Sequence, residues 1–342
     1  MNKNQKIRFA VVGCGHIGKR HAEMISKNPN AELVALCDVL SVEECGISNY
    51  SIPFYTNFEE LLVAEKELDV VNICTPNGLH AKMAIKTMNA GFDVVVEKPL
   101  TIKKSDAEKI LETSFKIDKN VFCVMQNRYS PPSVWLKQIM EENRLGKIFM
   151  VQVNCFWNRD EHYYTPDTWH GKTDLDGGTL FTQFSHFIDI LYWLLGDVEN
   201  IRASFADFNH QELTDFEDSG LVHFDFVNGG KCSFNYSTSV YNKNLESSLT
   251  IIGDKGTVKV AGQYMNEVVY CDIENYTMPE LPPANPPNDY GLYKGSAQNH
   301  HFVIQNVIDK IHSNHPITTN ALEGMKVVDI IERIYSLKKR EY

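Results

Sequence analysis

Two periods alternate along the first third of the chain. Residues 6–12 rise into the apolar run Phe9-Ala10-Val11-Val12, the pattern of a strand buried on both faces. Beyond a glycine turn, Ile17, His21, Met24 and Ile25 recur at helical spacing until Asn28-Pro29-Asn30 breaks the helix. A second strand over 32–37 ends in Asp38, and strand patterns return at 69–74, 93–96 and 121–125. Between them the spacing predicts helices through 88 and over 105–116. Strands alternating with helices imply right-handed crossovers and a parallel sheet. Ligands of such sheets sit beyond the carboxyl ends of the strands, where Gly13, Asp38, Thr75, Lys98 and Gln126-Asn127 all fall.

The pattern then changes. A helix is expected over 131–143 and a strand over 148–156, followed by a polar, aromatic stretch over 157–178. A loop of that length in a compact domain suggests function, and its aromatic content argues against disorder. A helix from Leu180 to near Gly196 carries Thr182, His186 and Asp189 at i, i+4 and i+7, a polar stripe on an apolar helix. Alternation at 222–226 and 232–236 around Asn228-Gly229-Gly230, and at 248–252 and 257–260, predicts antiparallel hairpins. Residues 279–288 read as an extended, proline-rich arm, and helices over 297–311 and 321–337 close the chain, the second packing back on the body.

At 342 residues the chain is long enough for two domains, 1–126 and 127–342. A net charge of -11 argues against a nucleic-acid partner but leaves room for an anionic small molecule held by a few convergent cations. No apolar run reaches the ~18 residues of a membrane span, so no membrane partner is expected. Residues 1–6 lead straight into the first strand with no cleavable leader. The eight cysteines show no CxxC spacing and read as buried thiols of a reducing, cytoplasmic compartment. The twelve histidines show no HExxH spacing, and no metal site is expected.

The strongest chemical signal is Gly13-Cys14-Gly15-His16-Ile17-Gly18, placed after a strand and before a helix, with Asp38 ending the next strand twenty residues on. Glycines let the backbone approach a pyrophosphate, and the helix N-terminus offers it free N–H groups. Asp38 would accept from ribose hydroxyls and repel a 2'-phosphate. No Arg or Lys follows it in Val39-Leu40-Ser41, so NAD is favoured over NADP. A second signal is Glu97-Lys98-Pro99-Leu100, where a buried strand ends in charge that packing alone does not explain.

Together these residues resemble the Gfo/Idh/MocA family of sugar and cyclitol dehydrogenases. The resemblance runs through the GxGxxG, Thr75-Pro76-Asn77 with His80, Glu97-Lys98-Pro99-Leu100, and Gly177-Gly178 with His186 and Asp189. It implies an α/β chain: an N-terminal Rossmann dinucleotide-binding domain, then a C-terminal α/β domain with a large, open, mostly antiparallel sheet. That sheet would build a homodimer or homotetramer. The implied cofactor set is Gly13, Gly15, His16, Ile17, Gly18, Asp38, Thr75, Asn77, His80, Glu97, Lys98 and Asn127, with Lys98 beside the nicotinamide.

Further stretches, Gln126-Asn127-Arg128-Tyr129-Ser130-Pro131-Pro132, Thr168-Trp169-His170-Gly171 and Tyr293-Lys294-Gly295-Ser296 among them, are similar to a branch of bacterial dehydrogenases. That branch oxidises the sugar 3-hydroxyl of UDP-linked N-acetylamino-sugar uronates for surface polysaccharide precursors. In some relatives a 2-oxo acid reoxidises the bound cofactor. Substrate contacts are then expected from Lys98, Asn127, Arg128, Tyr163, Trp169, His170, Gln183 and His186. The branch often carries an arginine where this chain has His170, and Lys172 or Arg159 could hold the carboxylate instead. The alternatives are a dehydrogenase of UDP-N-acetylglucosamine, a free sugar or a cyclitol, and a non-catalytic NAD-binding regulator.

Alcohol oxidation needs a base for the hydroxyl proton and a hydride acceptor at the carbinol carbon. The catalytic candidates are His186, whose imidazole titrates near neutrality, and Lys98, whose charge would stabilise the developing alkoxide. The reverse assignment, with a lysine of depressed pKa as base, is also open on sequence.

Overall fold

The structure, a computed structural model, describes residues 5–166, 168–289, 291 and 293–338. Residues 1–4, part of the stretch expected to lack a leader, lie outside it. The chain divides into two compact units, Met1–Met125 with His300–Val328, and Gln126–Asn299 with Asp329–Tyr342.

In the first unit β1 (Ile7–Val12) leads into α1 (His16–Lys27) and β2 (Ala31–Cys37). Then follow α2 (Val42–Cys45), β3 (Phe54–Tyr55), α3 (Phe58–Ala64), β4 (Val70–Ile73), α4 (His80–Asn89), β5 (Asp93–Val96), α5 (Lys104–Ile117) and β6 (Val121–Cys123). The strands form one parallel sheet in the order β3-β2-β1-β4-β5-β6. Strand order reverses at β1 and β4, the switch point at which doubly wound sheets bind ligands. The elements within 42–64 are each too short to show a period in the sequence. Asn57 caps α3 by accepting from the Glu60 N–H, and Phe58, Leu61 and Leu62 bury against Val34, Ala35 and Val71.

In the second unit α6 (Pro131–Glu141) precedes β7 (Ile148–Phe156), α7 (Thr179–Thr182) and α8 (Ser185–Leu195). The strands β8 (Val198–Ala206), β9 (Ser219–Phe226), β10 (Lys231–Ser237), β11 (Glu246–Gly253), β12 (Gly256–Ala261) and β13 (Glu267–Ile273) follow. They form a seven-stranded sheet in the order β13-β12-β11-β7-β10-β9-β8, antiparallel except for the β7–β10 pair. The single helix expected from Leu180 is two, with Gln183-Phe184 at the break. Trp157 packs its ring against Phe184, Phe187 and Tyr264 beneath it, with centroids 5.2, 5.9 and 5.7 Å away. The proline-rich arm ends in β14 (Pro287–Asp289), which pairs with β15 (Lys294–Ala297).

α9 (His300–Ser313) belongs to the first unit, and α10 (Ala321–Tyr335) is divided between the two. The first unit therefore takes in 300–328 as well as the residues before 126. Backbone pairing explains the return: the Cys123 N–H donates to Thr319 O at 3.0 Å.

Candidate active site

In the first unit the glycine turn is dictated by close approach. Gly13 has φ +89°, and a Cβ there would lie 2.5 Å from Cys74 O of the adjoining strand end. A Cβ on Gly18 would lie 1.7 Å from Gly13 O, so only glycine lets α1 sit this close to β1. Gly15 has nothing within 4 Å of the same position. It starts α1 without a side-chain cap, and the exposed His16 and half-buried Ile17 form the first turn. This open, uncapped N-terminus fits a dinucleotide's pyrophosphate. Asp38 accepts from the Cys14 N–H at 2.6 Å and the Leu40 N–H at 3.0 Å, tying the second strand end to the turn.

Thr75 and Lys98 are half-buried and Asn77 is buried. His80, wholly buried, reaches Pro99 O through Nδ1 at 2.8 Å and Thr75 O through Nε2 at 2.9 Å, joining two strand-end loops. Burial pushes its imidazole below the ordinary value, against the pull of both carbonyls and Glu97.

Glu97 follows the last residue of β5 and precedes Lys98. Its carboxylate is buried, with Oε1 2.9 Å from His21 Nε2 and 3.5 Å from His300 Nε2, while Oε2 accepts from the Lys98 N–H at 3.0 Å. His21 Nδ1 lies 2.7 Å from Asn72 Nδ2. Burial is the largest influence on the Glu97 carboxyl and pushes it up. The interactions of both histidines, the His21 hydrogen bond foremost, hold it well below the usual carboxylate range. One ligand atom each from His21, Glu97 and His300 lies within 4.8 Å of the others, a spacing that could hold a cation. The direct His21–Glu97 hydrogen bond already puts a proton where that ion would sit. His21, Asn72 and His300 had no role in the sequence reading; the signal was a histidine on the apolar face of α1.

The second unit collects the remaining candidates in three groups. His186, on α8, is buried with Nε2 3.5 Å from both Gln126 Nε2 and Ser296 Oγ, and Gln126 donates to Ser296 at 2.6 Å. Asn127 is buried in the same 3-10 turn, Gln126–Tyr129, and Asn299 holds that turn through Gln126 O at 3.2 Å and Ser130 Oγ at 3.0 Å. Arg128, expected to contact substrate, is instead buried against Asp189: Nε and Nη2 donate to its two oxygens at 2.8 and 2.6 Å. Thr182, first member of the expected stripe, bonds Asp176. His186 of that stripe faces Gln126 and Ser296.

The third group is aromatic. Trp169 stacks on His170 with centroids 4.1 Å apart, and His170 lies 4.4 Å from Tyr163, which meets Tyr293 at 4.9 Å. Gln183 donates to Tyr163 Oη at 2.8 Å and accepts from Arg159 Nε at 3.0 Å. Desolvation holds the Tyr163 phenol protonated, well above the usual range. Arg159 is buried over the faces of Trp157, Tyr163 and Tyr293 at 4.9, 5.2 and 5.0 Å. Its hydrogen-bond acceptors are Gln183, Asn244 and the carbonyls of Asn158 and Lys294, so among the described residues no carboxylate pairs with it. Lys172 stands apart, lining a cavity of about 250 Å³ with Thr165, His170 and Asp215.

Residues 7–124 match the family model described as the Gfo/Idh/MocA oxidoreductase family, NAD-binding Rossmann fold, and 134–259 match the Gfo/Idh/MocA C-terminal domain. The crystal structure of the WlbA dehydrogenase from Bordetella pertussis, in complex with NADH and UDP-GlcNAcA, is 31% identical over 99% of this chain and 98% of that one, with a TM-score of 0.85. The WlbA dehydrogenase from Chromobacterium violaceum, with the same two ligands, is also 31% identical over 97% and 94%, at a TM-score of 0.86. An inositol 2-dehydrogenase from Salmonella typhimurium is 26% identical over 229 residues, a match spanning 65% of each chain.

Proposed function

The chain belongs to the Gfo/Idh/MocA family of NAD-dependent oxidoreductases, and from that premise we propose that it oxidises the 3-hydroxyl of a UDP-linked N-acetylamino-sugar uronate to the 3-keto sugar. The observation that carries the proposal is the near-full-length likeness, at 31% identity, to WlbA dehydrogenases crystallised with NADH and UDP-GlcNAcA. Arg159 supports the uronate: among the described residues this buried guanidinium has only neutral hydrogen-bond partners, and a substrate carboxylate would supply a counter-charge.

Gly13, Gly15 and Gly18 with the first turn of α1 would hold the pyrophosphate, Asp38 the adenosine ribose, and Thr75, Asn77 and His80 the edge next to Lys98. Bound NAD supplies the hydride acceptor. His186 takes the hydroxyl proton, with Gln126 and Ser296 orienting its Nε2. Lys98 stabilises the alkoxide by charge. Asn127, Tyr163, Trp169, His170 and Gln183 contact the sugar nucleotide, and Arg128 acts by fixing the turn that carries Asn127. The reaction belongs to the supply of surface polysaccharide precursors in the cytoplasm.

The test is absorbance at 340 nm with NAD and candidate sugars, with and without 2-oxoglutarate to reoxidise bound cofactor. The uronate is expected to turn over far faster than UDP-N-acetylglucosamine. Equal rates would remove Arg159 and the carboxylate from the reading. The match to an inositol 2-dehydrogenase favours a cyclitol as the second reading, and turnover of free inositol but of neither UDP-sugar would establish it.

A further inference from the structure

Lys98 sits on a strand-end loop whose main chain is held on both sides by buried histidines. Upstream, its N–H donates to Glu97 Oε2 at 3.0 Å. Downstream, the Pro99 carbonyl lies 2.8 Å from His80 Nδ1. The upstream arm is the unusual one. Glu97 is buried, and among the described residues its ion-pair partners are both imidazoles, His21 and His300. A buried carboxylate keeps its charge only if donors are aimed at it. An aspartate or glutamate pointing freely could swing away from Lys98; this one is held on Oε1 so that Oε2 stays on the Lys98 amide.

One tautomer satisfies the whole chain. Glu97 Oε1 only accepts, so the 2.9 Å contact requires a proton on His21 Nε2. The neutral ring then presents a bare Nδ1, which accepts from Asn72 Nδ2 at 2.7 Å. Asn72 lies inside β4, with its side chain buried, and β4 pairs directly with β5, whose last residue, Val96, precedes Glu97. The sheet thus fixes both ends of a four-member path, Asn72 to His21 to Glu97 to the Lys98 amide. His300 closes the far side of the carboxylate with its ring edge-on to His21, centroids 5.4 Å apart.

We propose that His21 is a positioning residue for Lys98, acting through the Glu97 carboxylate, with Asn72 setting the imidazole tautomer. This rests on the reading of Lys98 as catalytic. His21 touches no reacting atom; it keeps the Lys98 main chain in one place while its side chain meets substrate. Displacing a catalytic group by a fraction of an ångström is enough to lose rate without losing binding.

The experiment compares His21→Leu, which fills the space but has no donor, with His21→Gln, whose terminal amide can reach the Nε2 position. In His21→Leu, kcat is expected to fall about 10- to 100-fold with the dissociation constant for NAD within about threefold of the parent. His21→Gln is expected to recover most of the loss. A purely structural role would lower the melting temperature of both variants alike and leave kcat per folded molecule unchanged, which would overturn the proposal. Nitrogen NMR of the parent protein reads the tautomer directly and does not depend on a variant folding: His21 protonated on Nε2 supports the path, and protonation on Nδ1 alone overturns it. Lys98→Ala separates the two levels. If that variant keeps its turnover, the reading of Lys98 fails; if it is inactive while His21→Leu matches the parent, only the positioning role fails.

Discussion

At the scale of single residues, charge is the deciding quantity. Lys98→Ala and His186→Ala should each lower turnover about 100-fold or more, with NAD titrations showing cofactor binding retained. Near-normal turnover in either purified variant removes that residue from the chemistry. Burial holds the His80 and His300 imidazoles below the ordinary value, against hydrogen bonds that favour the proton. A folded-state value below the unfolded ~6.5 means the unfolded chain takes up protons first as pH falls. The stability these groups contribute is therefore full above about pH 6.5 and declines below it. Glu97 has the same sign at lower pH: its contribution persists above the unfolded value near ~4.3 and is lost as pH falls through the depressed folded one. The titratable groups around it are His21, His300, His80, Lys98 and the Cys74 thiol, with Arg20 acting on His300. Urea midpoints should drop between pH 7.5 and 5.5, and a flat profile would count against buried neutral histidines.

At the scale of elements, two glycines and one ion pair separate packing from binding. Gly18→Ala places a Cβ 1.7 Å from Gly13 O, and calorimetry should show the fold losing about 1–3 kcal/mol as α1 is pushed off β1. Gly15→Ala meets nothing within 4 Å, so its melting temperature should stay put while NAD affinity falls. If Gly15→Ala binds NAD normally, the pyrophosphate does not approach that turn. Arg128 and Asp189 tie the 3-10 turn to α8 with both partners buried. Removing one, as in Arg128→Leu, should lower stability by about 3–5 kcal/mol in urea melts, whereas Arg128→Met with Asp189→Leu should lower it much less.

On the scale of the whole molecule, one face of the seven-stranded sheet runs through Tyr270, Lys259, Thr250, Gln152, Ser233, His223 and Arg202, paired strand to strand in one register row. Met150, Leu221 and Ile252 lie exposed on the same face. A broad surface of polar and apolar side chains, whose charged members in that row are Lys259 and Arg202, suits burial against a second copy, and we propose a homodimer or homotetramer through it. Sedimentation should find no monomer at micromolar concentration, and Leu221→Lys with Met150→Lys should produce one. Among the described residues no helix is long and apolar enough to cross a membrane, and all eight cysteines are free thiols.

Periodicity is local, so most of the first unit could be read from sequence. The strands ending at Gly13, Asp38, Thr75 and Glu97, the glycine turn and the parallel order all follow from spacing between near neighbours. The short elements of 42–64 could not be read, because two to seven residues complete too few turns or alternations to show a period. Nor could partners far apart in the chain. Arg128 reads as a substrate contact and Asp189 as one position of a polar stripe, and the two are bonded to each other across 61 positions. Glu97 reads as a cofactor-side neighbour of Lys98, and its carboxylate also meets His21, 76 positions earlier, and His300. Sequence alone determined which side chains could carry charge and which strand ends would bear them. Which charges neutralise one another was decided only in three dimensions, because desolvation and hydrogen bonding depend on what folding brings within about 3 Å.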